Sequence, residues 1–208
     1  AFVALALNAI RAVKVPVNIS LSARELGFVL SQSESEFLVT GCTIKLKQGE
    51  TGVKKIITLP GAQCDTDLPI TGWEDFLAAG EGFELSESED EAYADEPSDI
   101  IYTSGSTKAP KGVVLTHDML MRSAFASCMN RGFEIGRRVF VPLPMFHVYG
   151  YVEGMLAAIL VGGAVLLKKG KFQAEPVLDF MEESGANDIL SVPSQMMALI
   201  SSLKEHPR

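Results

Sequence analysis

With 208 residues, 47% of them hydrophobic, the chain is long enough to bury a packed core as one large domain or two small ones. A formal net charge of −8 and a pI near 4.9 argue against an electrostatic nucleic-acid binder, which would gather lysine and arginine on one face. Cys42, Cys64 and Cys128, odd in number and without paired spacing, suggest neither a disulfide framework nor a zinc site and fit a reducing cytoplasm.

The sequence begins with Ala1 rather than Met. It runs at once into Phe2-Val3-Ala4-Leu5-Ala6-Leu7, which without a basic leader or cleavage site reads as a domain interior and points to a fragment of a larger protein. Ser22 with Glu25 is a capping box ahead of Leu26, Val29 and Leu30, whose spacing predicts one helical face. Glu36 to Thr40, Thr43 to Lys47 and Lys54 to Leu59 are predicted strands. Thr71 with Glu74 repeats the capping pattern before Phe76-Leu77, and Gly80 is placed to end that helix. From Glu81 to Asp99 the chain turns acidic around Ser86-Glu87-Ser88-Glu89-Asp90-Glu91, which reads as an exposed, solvated connector.

Beyond the connector, strands and helices alternate. Strands are predicted at Ile100 to Tyr102, Val139 to Val141, Ala164 to Leu167 and Asp188 to Val192. Helices are predicted from Asp118 to Asn130, Tyr149 to Val161, Glu175 to Glu183 and from Ser194 onward. That order means an α/β fold, a mostly parallel sheet with helices on both faces, in which ligands sit beyond the carboxyl ends of the strands. Residues 1–80 read as a first α/β lobe, 81–99 as the connector and 100–208 as a second lobe. The longest apolar stretch, Met155 to Leu167, is interrupted by Gly162-Gly163 and is shorter than the roughly 20 residues a bilayer requires, so no transmembrane span is expected. Met155, Met181, Met196 and Met197 read as core fillers on helices.

The residues that carry chemistry lie between Ile100 and His117. A short apolar strand runs into a loop of hydroxyls, glycines and two lysines, then into a helix start. Ser104, Ser106 and Thr107 offer hydroxyl donors, Gly105 and Gly112 permit backbone turns, loop amides can converge on one anion, and Lys108 and Lys111 add positive charge. This combination is suited to the phosphates of a nucleotide. A P-loop beginning at Gly105 would need Gly at position 110 and Ser or Thr at 112, where the chain has Pro110 and Gly112. Thr116, His117 and Asp118 read as the cap and first turn of a helix, leaving His117 without a chemical role.

Tyr102-Thr103-Ser104-Gly105-Ser106-Thr107, followed by Pro110-Lys111-Gly112-Val113, resembles the phosphate loop of the acyl-adenylate-forming enzymes: acyl-CoA synthetases, peptide-synthetase adenylation domains and firefly luciferase. The family usually has Gly where this chain has Lys108. Pro142-Leu143-Pro144-Met145-Phe146-His147-Val148-Tyr149-Gly150 resembles a second family segment, in which the histidine lies beside the carboxylate being activated. Tyr149-Gly150-Tyr151-Val152-Glu153 mimics the family's adenine loop but comes far too early in the chain to be it. The later segments, including the ribose-binding aspartate and the carboxy-terminal lid with its lysine, have no counterpart in this sequence.

The resemblance covers most of the chain and implies part of the family's layered amino-terminal domain. It implies activation of a carboxylic acid, most simply a fatty acid, by ATP with Mg²⁺ to acyl-AMP, followed by transfer to coenzyme A. Thr103, Ser104, Gly105, Ser106, Thr107 and Lys111 would surround the β- and γ-phosphates, and His147 would stand near the acyl carboxylate, with no residue assigned as a metal ligand. Adenylation of an aryl or amino acid and a non-catalytic nucleotide-binding module remain alternatives. The 208 residues alone are expected to be nearly inactive. Peripheral membrane contact and oligomeric state stay open.

Overall fold

A computed structural model describes residues 2–47, 49–84, 91–103 and 110–207. The chain separates into two compact units, one of residues 4–93 and 97–114, the other of residues 1–3, 94–96 and 115–208.

In the first unit, which holds all but the first two residues of α1 (Phe2–Ala9), that helix leads to α2 (Ala23–Gln32). No residue of α1 is buried and Phe2 is 88% exposed, so the apolar opening run forms a helix with open faces rather than a core segment. Helix α2 starts on the expected capping box: the Ser22 amide donates to the Glu25 carboxylate at 2.8 Å, and the Glu25 amide donates to Ser22 Oγ at 3.3 Å. Strands β1 (Phe37–Thr40), β2 (Ile44–Lys45), β3 (Lys55–Thr58), β4 (Cys64–Asp65) and β5 (Ile70–Gly72) follow. β1, β3 and β5 make a parallel sheet in that order, in the register Leu38 to Ile56 to Ile70. Each crossover contains a short strand instead of a helix, and these two, β2 and β4, pair in parallel at Ile44 and Cys64. Leu30, Leu38, Leu46, Val53, Ile56 and Leu68 form the core beneath.

Helix α3 (Trp73–Ala79) ends at Gly80 as expected, but its start corrects the sequence reading. Gly72, not Thr71, is the capping residue, and no side chain caps the helix, because β5 extends through Thr71 and commits its backbone to β3. A 3₁₀ turn at Glu91–Asp95 precedes β6 (Pro97–Thr103) and β7 (Lys111–Thr116), which pair as a two-stranded ribbon. β6 begins within the stretch read as connector, and Ser98 and Asp99 there are fully buried.

The second unit holds α4 (His117–Arg131), β8 (Arg138–Phe140), a π-helix (Tyr149–Leu156) continuing into α5 (Ala157–Leu160), β9 (Ala164–Leu166), α6 (Ala174–Ser184), β10 (Asp188–Ile189) and α7 (Pro193–Glu205). Thr116 caps α4 as expected, its hydroxyl accepting from the Met119 amide at 3.2 Å. The parallel sheet runs β10-β8-β9. From the central β8 and the residue that follows it, Val139 and Val141 pack with Ala158 and Leu190, whereas Phe140 packs with Val177 and Leu199. A strand buried on both faces in this way reads as a continuous apolar run. Met155 is in the core as expected, but Met197 is 68% exposed and Met196 is also exposed, so neither fills a core gap.

Candidate functional site

One candidate element is the β6–β7 ribbon. Seven residues separate the strands, too few for the crossover a parallel pair requires, so the ribbon is a hairpin with Thr103 and Lys111 at the two ends of its connection. Both residues are exposed, which leaves the Thr103 hydroxyl and the Lys111 ammonium open to a ligand. Ser104, Gly105, Ser106 and Thr107, with Lys108, lie outside the described residues.

Gly112 sits within β7 rather than in a turn, which corrects the role expected from sequence. A Cβ there would stand 2.8 Å from Ile100 Cγ2 and 3.1 Å from the Tyr102 ring, so the absence of a side chain is what lets β6 and β7 approach. Tyr102 is partly buried. Burial pushes its phenol up from the ordinary value, and a hydrogen bond with Ser33 opposes that.

The second element is the segment leaving the carboxyl end of β8. Neighbours β9 and β10 lie on opposite sides of β8, so the chain reverses its winding there, the position at which open α/β sheets form ligand crevices. The His147 amide donates to the Pro144 carbonyl at 3.2 Å, and the His147 carbonyl accepts from the Tyr151 amide at 3.0 Å, so the turn passes directly into the π-helix. Tight packing of that turn explains Gly150: a Cβ would stand 2.6 Å from the Pro144 carbonyl oxygen. The imidazole is exposed, and its Nδ1 accepts from the Tyr149 amide at 3.1 Å. In the neutral ring this places the proton on Nε2, which makes His147 a hydrogen-bond donor toward whatever faces it. A cavity of about 250 Å³ opens beside this segment, lined by Phe140, Pro142, Leu143, Pro144, Lys168 and Lys171 among others. Lys168 therefore borders a concave surface.

Thr103 and Lys111 belong to the first unit and His147 to the second. Sequence reasoning missed the Tyr149 amide, since a backbone donor has no residue signature. It also missed a buried Lys14–Asp99 ion pair in the first unit, 2.7 Å long. A lysine amid Ala12, Val13, Val15 and Pro16 was the available signal. Among the described residues no three His, Cys, Asp or Glu side chains converge as a metal site, so no Mg²⁺ ligand is assigned. No helix among them is long and apolar enough to cross a membrane.

The family described as AMP-binding enzyme matches residues 1–208. The chain belongs to the AMP-binding enzyme family. Among its relatives, the long-chain-fatty-acid–CoA ligase FadD13 of Mycobacterium tuberculosis is 32% identical over 181 residues, 83% of this chain and 33% of the relative. The chain thus spans about a third of that relative's length. Two solved structures share the fold. One is the inhibitor-bound N-terminal domain of FACL13 from Mycobacterium tuberculosis, with a TM-score of 0.68 at 24% identity, covering 94% of this chain and 47% of that one. The other is the O-succinylbenzoate coenzyme A synthetase of Bacillus subtilis in complex with AMP, with a TM-score of 0.70 at 22% identity, covering 97% and 48%. The fold expected from sequence is therefore the one found, an α/β arrangement of the kind seen in amino-terminal domains of adenylate-forming enzymes.

Proposed function

We propose that the intact protein is an ATP-dependent acid–thiol ligase, and that this chain supplies part of its amino-terminal AMP-binding domain. Residues 1–80 and 100–208 would be successive lobes of that domain, with 81–99 between them. The observation that carries this reading is the pairing of two motifs in one AMP-binding chain. A hairpin presents Thr103 and Lys111 at the ends of a hydroxyl-rich connection, and a turn at a sheet switch point presents His147.

In the first step a carboxylate oxygen attacks the α-phosphorus of ATP. An oxygen–phosphorus bond forms, the bond from that phosphorus to the bridging oxygen breaks, and pyrophosphate leaves with its electron pair. In-line transfer of this kind asks the protein for positioning and charge neutralisation rather than covalent chemistry. Thr103, Ser104, Gly105, Ser106, Thr107 and Lys111 would hold the β- and γ-phosphates. The Nε2–H of His147 would donate to the acyl carboxylate and orient it without taking a proton. Mg²⁺, bound with the triphosphate, would neutralise part of its negative charge. In the second step the sulfur of coenzyme A attacks the acyl carbon, a carbon–sulfur bond forms, the acyl carbon–oxygen bond to phosphate breaks, AMP leaves with its electron pair, and the thiol proton passes to solvent.

Fatty acid is the preferred substrate class, supported by the name of the FadD13 relative, and a cytoplasmic location goes with the three free cysteines. An aryl acid is the second reading, supported by the O-succinylbenzoate enzyme that shares the fold. A panel of fatty and aryl acids supplied with ATP, Mg²⁺ and coenzyme A to the full-length protein tests both. Acid-dependent formation of AMP and pyrophosphate is expected. No pyrophosphate with any acid would sink the proposal.

A further inference from the structure

Lys14 is 4% exposed, while Ser98 and Asp99 are completely buried. The Lys14 ammonium donates to Asp99 Oδ2 at 2.7 Å, to Ser98 Oγ at 3.2 Å and to Asn8 Oδ1. Ser98 Oγ donates in turn to Asp99 Oδ2 at 2.8 Å. The backbone makes the same clamp: the Lys14 amide donates to the Ser98 carbonyl at 2.9 Å, and the Ile100 amide donates to the Lys14 carbonyl at 2.8 Å. Lys14 thus brackets Asp99 from both sides in a parallel bridge.

A buried ion pair is a poor source of stability, because desolvating two charges offsets most of their attraction and a well-packed apolar pair is often as stable. This one is not even fully satisfied, since Asp99 Oδ1 has no hydrogen-bond partner among the described residues. What such a pair does supply is register. Side chains alternate along a strand, so a slip of β6 by one residue would turn Asp99 away and leave two buried charges unpaired. Four residues beyond Asp99, β6 ends at Thr103.

We infer that Lys14 and Asp99 are positioning residues for the proposed phosphate loop: their ion pair pins the register of β6 and so fixes where Thr103, at the start of that loop, is delivered. The inference rests on the proposed ATP-binding role of that loop. In the full-length protein, Lys14→Met combined with Asp99→Leu removes both charges and keeps apolar bulk. The expected result is a folded protein with an unchanged or raised melting temperature, a KM for ATP at least tenfold higher, and a KM for the acid within twofold of wild type. An unchanged KM for ATP in the folded double variant overturns the inference. Should that variant not fold, Asp99→Asn takes its place, with the same rise confined to ATP expected and an ATP KM within twofold of wild type overturning it.

If the wild-type protein forms no AMP, it is the proposed function that fails, and register is then read by amide hydrogen exchange. The Ile100 amide of the double or Asn variant should exchange at least tenfold faster while the amides of β1 and β3 keep wild-type rates. Unchanged exchange at Ile100, or equal acceleration throughout the unit, would overturn the inference without reference to ATP.

Discussion

The backbone N–H of Tyr149 donates to Nδ1 of His147 at 3.1 Å, so the chain itself selects which ring nitrogen faces outward. Neutral His147 should therefore be found as the Nε2–H tautomer by ¹⁵N NMR of histidine-labelled protein. The Nδ1–H tautomer would contradict the geometry. Removing the donor with His147→Ala should lower kcat/KM for the acid by roughly 10²-fold, the effect of deleting one hydrogen bond aimed at reacting charge.

Gly150→Ala should be costly out of proportion to one methyl group. Its Cβ would meet the backbone carbonyl of Pro144 at 2.6 Å, and backbone cannot swing aside as a side-chain end can. About 1 to 3 kcal/mol of destabilisation is expected, as for overpacking in a core, together with loss of acid activation because the same turn carries His147. A thermal melt coincident with wild type would refute this account of the glycine.

Lys111→Ala should weaken use of ATP in the full-length enzyme by about 1.5 to 3 kcal/mol, the range for a charge-assisted hydrogen bond to phosphate. That is roughly a ten- to hundredfold rise in the KM for ATP. Kinetics unaltered by the substitution would reduce Lys111 to an exposed lysine at a strand end.

Glu25 offers a pH dependence of stability. Hydrogen bonds from the Ser22 side chain and then the Ser22 backbone hold its carboxyl below the ordinary value of 4.5. A lowered folded-state value means that the contribution is fully present above the unfolded value and is lost as pH falls through the folded one. Ser22→Ala should cost about 1 kcal/mol at neutral pH as a lost cap. The difference in melting temperature between wild type and variant should shrink as the pH drops below 4.5. A constant difference down to the acid limit would show that the carboxylate takes no part.

Elements with a local cause were legible in the sequence. The Ser22 box, the Thr116 cap and the apolar run of β8 each carry their reason within a few residues, and each is found where it was read. What escaped depends on partners far along the chain. β7 follows so closely on the hydroxyl-rich segment that Lys111 to Thr116 reads as an extension of it, and only pairing with β6 makes it a strand. Asp99 looked like the end of a solvated acidic stretch, and its burial depends on a lysine 85 residues earlier. Gly112 was visible as a motif residue, but its physical reason lies in Ile100 and Tyr102 on the neighbouring strand.

The central claim is that the loop after Thr103 serves a nucleotide whose α-phosphate is attacked by a carboxylate. Product analysis of the full-length protein with ATP, Mg²⁺ and an acid panel, read as AMP against ADP, tests this most directly. One AMP and one pyrophosphate per acid consumed is the predicted result, whereas acid-independent release of ADP and phosphate would contradict it.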